Sequence, residues 1–178
     1  MVLIKADGRA FSSGIDLTQF QTLGEEFGEN WRGNLFPFTA KYQAIFNKIE
    51  SCSMPVICVM HGYCLGMALE MALACDFRIA AERTKVSLPE SRLGIIPDVG
   101  GTVRLVKLVG ASRAKEIIMT GRNMDLEQAH EWGMINLIVP KDELEARVAE
   151  FCEELSASAP LAVSYTKRVI NDIVDNSR

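Results

Sequence analysis

The sequence has 178 residues, of which 48% are hydrophobic and 24% charged, with a formal net charge of −4. This composition is typical of one soluble globular domain, or a core with a helical extension, that can bury a sizeable core. Because there is no basic excess, we expect no nucleic-acid partner. The cysteines form no CxxC pair and no cysteine–histidine cluster with zinc-ligand spacing, which predicts reduced thiols, a cytoplasmic location and no metal site.

The apolar segment from Pro55 to Cys75 is long enough to raise the question of a membrane span. It carries Glu70 within it, and a proline and two glycines divide it as a strand, a turn and a helix would be divided. We therefore expect no membrane span. The apolar patch at the N-terminus is too short for a signal peptide.

The predicted elements begin with a short strand over Val2–Lys5. A loop with little periodicity is expected over residues 19–35, and apolar residues at helical spacing then predict a helix over 38–52. β-Branched residues predict a buried strand over 55–60, and a helix is expected over 67–74.

The second half of the chain begins with two short strands, DFRIAA and KVSL, followed by a loop rich in glycine and proline, PESRLGIIPDVGG. Asp125 and Gln128 have capping-box spacing at the start of the helix expected over 126–132, and Gly133 is a suitable stop at its C-terminal end. Strands that alternate with helices predict a mixed α/β core over 1–140, with a helical extension over 141–178. Helices are expected over residues 103–109, 111–119, 126–132, 142–155 and 160–174.

Two glycine-centred turns could present backbone N–H groups to a ligand. Gly66 precedes the helix that holds Glu70, so the amide of Met67 belongs to the first turn, where N–H groups have no partner within the helix. The second turn, SSGID over 12–16, follows the first strand. Two such donors that converge on one oxygen would form an oxyanion hole.

Three acidic residues are candidates for proton transfer. Glu70 lies among apolar and small residues, where burial would raise its pKa toward values useful in catalysis. Glu90 and Asp98 lie in the glycine- and proline-rich loop, and one acid could act as base while another acts as acid. Each also has a simpler interpretation, since Glu70 could point outward or hydrogen-bond internally, Glu90 could be solvated, and Asp98 could cap the next helix. His61 and His130 have no companion nucleophile and are interpreted as structural.

Together these stretches resemble the enoyl-CoA hydratase/isomerase, or crotonase, family. The matching segments follow the family's order, cover nearly the whole chain, and read GRAFSSGIDL, PVICVMHGYCLGMALEMALACDFRIA, SLPESRLGIIPDVGGTVRLVKLVG and MTGRNMDLEQAHEWGMINLIV. The resemblance implies a crotonase-like spiral of ββα units with a C-terminal helical extension used in trimer contacts. It further implies an acyl-CoA thioester substrate, no cofactor besides the coenzyme A of that substrate, and a homotrimer or a hexamer formed as a dimer of trimers.

The resemblance also assigns roles to particular residues. It places the oxyanion hole on the amides of Ile15 and Met67. It implies that Glu70 and Glu90 position water for syn addition across the 2,3 double bond of an enoyl-CoA and handle the proton at C2. The segment implied to contact coenzyme A contains Arg9, Ala10, Phe11, Ser13 and Asp16.

Three features depart from the family pattern. Met67 stands in a run that is often glycine, so its side chain would reshape the acyl pocket. Asp98 stands where many hydratases have glycine, as in dienoyl-CoA isomerases, so dienoyl-CoA isomerisation by Glu70, Glu90 and Asp98 is the alternative activity. The 3-hydroxyisobutyryl-CoA hydrolases share this acid but usually lack one at the position of Glu70. Both ends of the chain are shorter than is usual in the family, which suggests a piece of a longer protein or a reduced member. A catalytically silent acyl-CoA-binding or assembly subunit is the alternative from a different class.

Overall fold

The computed structural model describes the backbone of residues 1–18 and 31–176 and the side chains of residues 1–18 and 37–175. Most of the loop predicted over 19–35 lies outside the described residues. The strands in the described ranges are β1 (Val2–Ile4), β2 (Val56–Met60), β3 (Tyr63–Leu65), β4 (Phe77–Ala81), β5 (Lys85–Ser87) and β6 (Leu137–Val139).

The helices in the same ranges follow the predicted order. They are α1 (Trp31–Glu50), α2 (Met67–Leu73), α3 (Gly101–Thr120), α4 (Leu126–Glu131), α5 (Leu144–Ser156) and α6 (Pro160–Asn176), with short 3-10 helices at Pro89–Leu93 and Lys141–Glu143. The two helices predicted on either side of Gly110 are the two arms of α3, which kinks where this glycine has φ 80° and ψ 163°. The predicted cap of α4 is confirmed, because the amide of Gln128 donates to Asp125 Oδ1 at 3.0 Å.

The start of α1 was predicted too late. The helix begins at Trp31 and runs through Pro37, so the loop prediction is wrong for residues 31–35. Pro37 is exposed, and its missing N–H removes one hydrogen bond from the helix. The packing of the following turns, in which Phe46 is 5% exposed, stabilises the helix in spite of this loss.

A parallel sheet with strand order β1-β2-β4-β6 forms the centre of the molecule. All five residues of β2 are buried, and they alternate between two hydrophobic clusters. Val56, Cys58 and Met60 pack in the cluster that contains residues of α2 and α3, whereas Ile57 and Val59 pack in the cluster that contains residues of α5. Burial on both faces explains why this strand is a continuous apolar run.

The second, smaller sheet pairs β3 with β5 in parallel. The membrane alternative for the segment 55–75 is not supported, because the segment folds as β2, β3 and α2. None of the helices in the described ranges is long and apolar enough to cross a membrane. Gly66 directly follows β3 and precedes α2, so the smaller sheet positions the first turn of α2.

Candidate active site

The two glycine-centred turns lie against each other. The segment after β1 runs alongside β3, with the amide of Ser12 donating to the carbonyl of Tyr63 at 2.9 Å and the amide of Leu65 donating to the carbonyl of Ser12 at 3.1 Å. Gly14 has φ 94°, and a Cβ on it would lie 2.7 Å from Leu65 O and 3.3 Å from Met67 N. Only glycine permits this approach, which brings the turn that leads to Ile15 beside the amide of Met67.

The amide of Met67 belongs to the first turn of α2. Gly66, with φ 57° and ψ −130°, is the N-cap of α2 and provides no side-chain cap. The first turn closes when the amide of Glu70 donates to the carbonyl of Gly66 at 3.0 Å. N–H groups of such a first turn have no partner within the helix and attract negative charge. The side chain of Met67 is half-buried and packs against the cluster of Phe46, Ala74 and Val99.

Glu70 is buried and held in one orientation. Its side chain is 2% exposed, and Oε2 accepts hydrogen bonds from the amides of Val99 at 3.1 Å and Gly101 at 2.7 Å. A Cβ at Gly101 would lie 2.4 Å from Glu70 Cγ, so the position accepts only glycine without displacing the carboxyl. Glu70 therefore does not point outward, and it makes the internal hydrogen bonds that its simpler interpretation also allowed.

Burial sets the acidity of Glu70. Desolvation raises the pKa of its carboxyl from 4.5 to about 7, and the negative charges of Glu90 and Asp98 act in the same direction. The hydrogen bonds from Gly101 and Val99 oppose this rise because they stabilise the ionised form. The carboxyl therefore gains and loses a proton near neutral pH.

Glu90 is also buried, but one of its oxygens has no partner. The residue is 7% exposed in the 3-10 helix Pro89–Leu93, and Oε2 accepts no hydrogen bond from any described residue. Oε1 lies 3.0 Å from where a Cβ on Gly66 would be, so the carboxyl packs against the start of α2. Desolvation, with a smaller effect of Asp98, raises the pKa of Glu90. The solvated-loop interpretation of Glu90 is wrong.

Asp98 lies at the outer side of this group. Although the residue is exposed overall, partial desolvation raises the pKa of its carboxyl, and its charge raises the pKa values of both glutamates. The interpretation of Asp98 as a helix cap is wrong. Gly100, with φ 106°, is the N-cap of α3 and no side chain caps it, because the left-handed backbone at this glycine turns the chain into the helix two residues after Asp98.

The segment predicted to contact coenzyme A forms the strand-like stretch beside β3. Phe11 is 8% exposed, and its amide donates to the carbonyl of His61 at 2.8 Å, whereas Arg9 and Ser13 are exposed and Ala10 is half-buried. Asp16 is exposed and accepts hydrogen bonds from the amide and hydroxyl of Thr18, which lower its pKa. The role of these residues in ligand binding stays a prediction.

Known proteins of one family match this chain. The family described as enoyl-CoA hydratase/isomerase matches residues 1–178. The chain belongs to this family.

The relatives carry several names within that family. The chain is 35% identical over 167 residues to a protein of Arabidopsis thaliana named "Probable enoyl-CoA hydratase 2, mitochondrial", covering 94% of this chain and 53% of the relative. It is 44% identical over 122 residues to carnitinyl-CoA dehydratase of Salmonella typhimurium, covering 68% of this chain and 47% of the relative. The chain thus spans about half the length of these curated relatives.

Solved structures of family members have the same fold. A protein from Thermobifida fusca described as an enoyl-CoA hydratase, in complex with acetoacetyl-CoA, superposes with a TM-score of 0.89 at 33% identity, covering 98% of this chain and 70% of that one. Enoyl-CoA hydratase from Bacillus anthracis superposes with a TM-score of 0.87 at 35% identity, covering 98% and 65%. The predicted crotonase-like α/β fold is confirmed.

The backbone donors that hold the Glu70 carboxyl were not predicted from the sequence. The acids and the glycine turns were identified as candidates, but the amides of Val99 and Gly101 were not. The glycine pair Gly100–Gly101 directly after Asp98 was the available signal, because adjacent glycines allow close approach to a buried group. Residues of α1 that contact this loop gave no sequence signal, because their partners lie more than fifty residues later.

The remaining candidates have structural roles in the described ranges. His61 Nε2 lies 3.2 Å from the carbonyl oxygen of Gly8, and His130 Nδ1 lies 2.8 Å from that of Ile135. No group of three or more histidine, cysteine or acidic side chains among the described residues could hold a metal ion. A cavity of about 1280 Å³ lies between α1, α3 and α6 and reaches Asp98.

Proposed function

We propose that this protein hydrates 2-enoyl-CoA thioesters, with Glu70 and Glu90 as the catalytic residues. The observation that carries the proposal is the contrast between two neighbouring buried carboxyls. Glu70 is fixed by two backbone amides, and Glu90 keeps a buried oxygen with no hydrogen-bond partner among the described residues. A buried acceptor without a partner is costly unless a ligand or water satisfies it, which fits a role in holding the reacting water.

The chemistry requires both carboxyls and a site for the thioester oxygen. A proton of the bound water passes to one glutamate carboxylate, and the water oxygen bonds to C3 of the substrate. The C2–C3 π bond breaks, and the carboxyl of the other glutamate delivers a proton to C2. The charge that develops on the thioester oxygen would be stabilised by the amides of Ile15 and Met67. The close approach of Gly14 to Met67 N supports this assignment. The pKa of Glu70, raised to about 7, suits it to exchange protons near neutral pH, and burial raises the pKa of Glu90 in the same direction.

The substrate class is supported by the relatives. Two solved structures of enoyl-CoA hydratase relatives from Thermobifida fusca are complexes, one with coenzyme A and one with acetoacetyl-CoA. In our proposal the exposed Arg9 and Ser13 contact the coenzyme A portion, together with Ala10, Phe11 and Asp16. The reaction needs no cofactor besides the coenzyme A carried by the substrate, because water addition changes no oxidation state of the thioester as a whole.

We also propose a homotrimer, or a hexamer of two trimers, in the cytoplasm. The support is the apolar side of α6, where Leu161 is 74%, Tyr165 63% and Ile173 61% exposed. Apolar surface of this kind is often buried in an assembly. Sedimentation of the purified protein at several concentrations measures the oligomeric state, and a persistent monomer would contradict the proposal.

The test of function follows the absorbance of the enoyl thioester when the protein is added to crotonyl-CoA or longer enoyl-CoAs. Glu70→Gln and Glu90→Gln should each reduce turnover by about 100-fold or more, since each removes a group that transfers a proton. Glu82→Gln, an exposed acid on the turn after β4, is the matched control and should retain full activity. Turnover that neither site variant affects would contradict the proposal. Calorimetric binding of acyl-CoA without turnover would instead support the silent binding or assembly subunit.

Dienoyl-CoA isomerisation is the second candidate because the charge of Asp98 acts on both glutamates. Such a reaction moves a proton from one carbon of a conjugated chain to another and uses two or more carboxylates. A 3,5-dienoyl-CoA substrate separates the candidates, since isomerisation creates a 2,4-dienoyl chromophore. Isomerisation by Asp98 would be lost in Asp98→Asn, whereas hydration would continue.

A further inference from the structure

We infer that Arg104, together with Gln43, Asn47 and Glu50 of α1, positions the Glu70 carboxyl by fixing the loop whose amides hold it. The inference rests on the proposed function only for the catalytic use of Glu70. The positioning itself can be tested without turnover.

One face of α1 is bonded to this loop and to the helix that follows it. Gln43, Asn47 and Glu50 are spaced by four and three residues, so they lie on the same side of the helix. The side-chain amide of Gln43 donates to the carbonyl of Asp98 at 2.5 Å. Asn47 Oδ1 accepts from Arg104 Nη2 at 2.6 Å, and Glu50 Oε2 accepts from Arg104 Nε at 3.0 Å.

Arg104 connects this face to the backbone beside Glu70. It is 5% exposed, and Nη1 donates to the carbonyl of Val99 at 3.4 Å. A Cβ on Gly100 would lie 2.1 Å from Nη1, so the guanidinium packs directly on the backbone of the loop. Residues 99 and 101 of that backbone are the two that donate to Glu70 Oε2. Arg104 therefore links Asn47 and Glu50 to the backbone that holds the carboxyl, and Gln43 contacts the same loop directly at Asp98.

The chemistry of arginine suits this role. A buried guanidinium must be paired, and here a carboxylate, an amide oxygen and a backbone carbonyl satisfy it on different sides. Its planar fork keeps these three partners in fixed directions, which a lysine ammonium does not. Loss of the fork would free the loop to move, and a shift of about 1 Å in a positioning group can lower the rate about 100-fold.

The pKa of Glu70 depends on how firmly the loop holds the amides of Val99 and Gly101 against the carboxyl. Burial is the largest cause of the raised pKa of Glu70, and the charges of Glu90 and Asp98 raise it further, while the amides of Gly101 and Val99 lower it. Arg104 makes no direct contact with the carboxyl among the hydrogen bonds of the described residues. A loosened loop weakens the two amide bonds, so the pKa of Glu70 should rise further.

The experiment compares Asn47→Leu and Arg104→Lys with the native protein. Asn47→Leu changes no charge and removes one partner of the guanidinium; Arg104→Lys keeps the charge and removes the fork. Each should lower kcat about tenfold or more with a smaller change in KM, and should move the acidic limb of the kcat/KM profile upward by about 0.5 pH unit or more. Lys167→Met is the matched control. It removes a mostly buried cation whose hydrogen bonds go to Asp76, at 2.7 Å, and to the carbonyl of Met54 rather than to the loop, and it should leave the pH profile unchanged.

A second measurement separates this inference from the proposed function. The Glu70 carboxyl is titrated by carbon-13 NMR in protein labelled at the glutamate side chains, and Glu70→Gln identifies its signal. A raised pKa of Glu70 in Asn47→Leu supports positioning even if the protein hydrates no enoyl-CoA. An unchanged pKa in both folded variants, or an equal shift in Lys167→Met, overturns it whatever the activity.

Discussion

Glu70 and Glu90 occupy the same site, but the structure treats the two carboxyls differently. Glu70 comes from the first turn of a helix and has both a fixed orientation and two backbone donors. Glu90 comes from a short 3-10 helix and leaves one buried oxygen without a partner among the described residues. A carboxyl that is already bonded is positioned in advance, whereas one with a free acceptor is available to a ligand or water. The comparison indicates that the two acids have different parts in the reaction.

The largest effect on activity is expected for Gly101→Ala, which would displace the carboxyl of Glu70. The new Cβ would lie 2.4 Å from Glu70 Cγ and 2.6 Å from Oε2, so the side chain must leave its position. We expect kcat/KM for an enoyl-CoA to fall about 100-fold and stability to fall by about 1–3 kcal/mol. Enoyl absorbance and urea unfolding measure the two effects.

Gly133→Ala is the control for this variant. Gly133 has φ 79° and no atom within 4 Å of an added Cβ, so the substitution introduces backbone strain without contact. It should lower stability by about 1–2 kcal/mol and leave activity intact. Full activity in Gly101→Ala would show that the contact with Gly101 does not fix Glu70.

The second-largest expected effect is on the pH dependence of the free energy of unfolding. The pKa of Glu70 is raised from 4.5 to about 7 in the folded protein, so between these values the folded state binds more protons than the unfolded state. Stability therefore decreases as pH rises through this window, by up to about 3 kcal/mol. Glu70→Gln should remove this contribution, which urea unfolding at pH 4.5 and at pH 8 would detect. An identical pH dependence in both proteins would contradict the buried, ionisable state of Glu70.

Gly66→Ala should displace the carboxyl of Glu90 less than Gly101→Ala displaces that of Glu70. Its Cβ would lie 3.0 Å from Glu90 Oε1, which is the far end of a side chain that can move, and the backbone has φ 57°. We expect a loss of about 1–2 kcal/mol in stability from the backbone strain. The activity should fall about tenfold, less than in Gly101→Ala, because Glu90 can adjust. Equal losses of activity in the two variants would remove the distinction between a fixed and an adjustable carboxyl.

The smallest effect is expected for Asp98→Asn. Removing this charge should lower the pKa values of both glutamates and shift the acidic limb of the hydration profile downward by a few tenths of a pH unit, about 0.3. Asp142→Asn, an exposed acid in the 3-10 helix before α5, is the control and should cause no shift. An upward shift in Asp98→Asn would contradict a repulsion between these acids.

The order of the elements was largely predictable because apolar periodicity and glycine positions are local signals. The buried strand β2, the helix α2 and the kink of α3 at Gly110 follow from such signals. The strands β3 and β6 were not predicted, although β1 and β5 are equally short and were. Residues 63–65 of β3 lie between two glycines, a pattern that was interpreted as a turn. The pairing partners of β3 and β6 in the sheets, rather than their own sequences, define them as strands.

The sequence by itself determined which residues could do the chemistry, because an acid within an apolar helix is unusual wherever it occurs and a glycine turn before a helix can present free backbone amides. It also determined the family, through four ordered segments. Only the tertiary structure decided how Glu70 is held. Its two donors lie 29 and 31 residues later, and the guanidinium that packs on their loop bonds to residues 54 and 57 positions before it. Contacts across such separations depend on how the sheet and helices pack, and no local pattern encodes them.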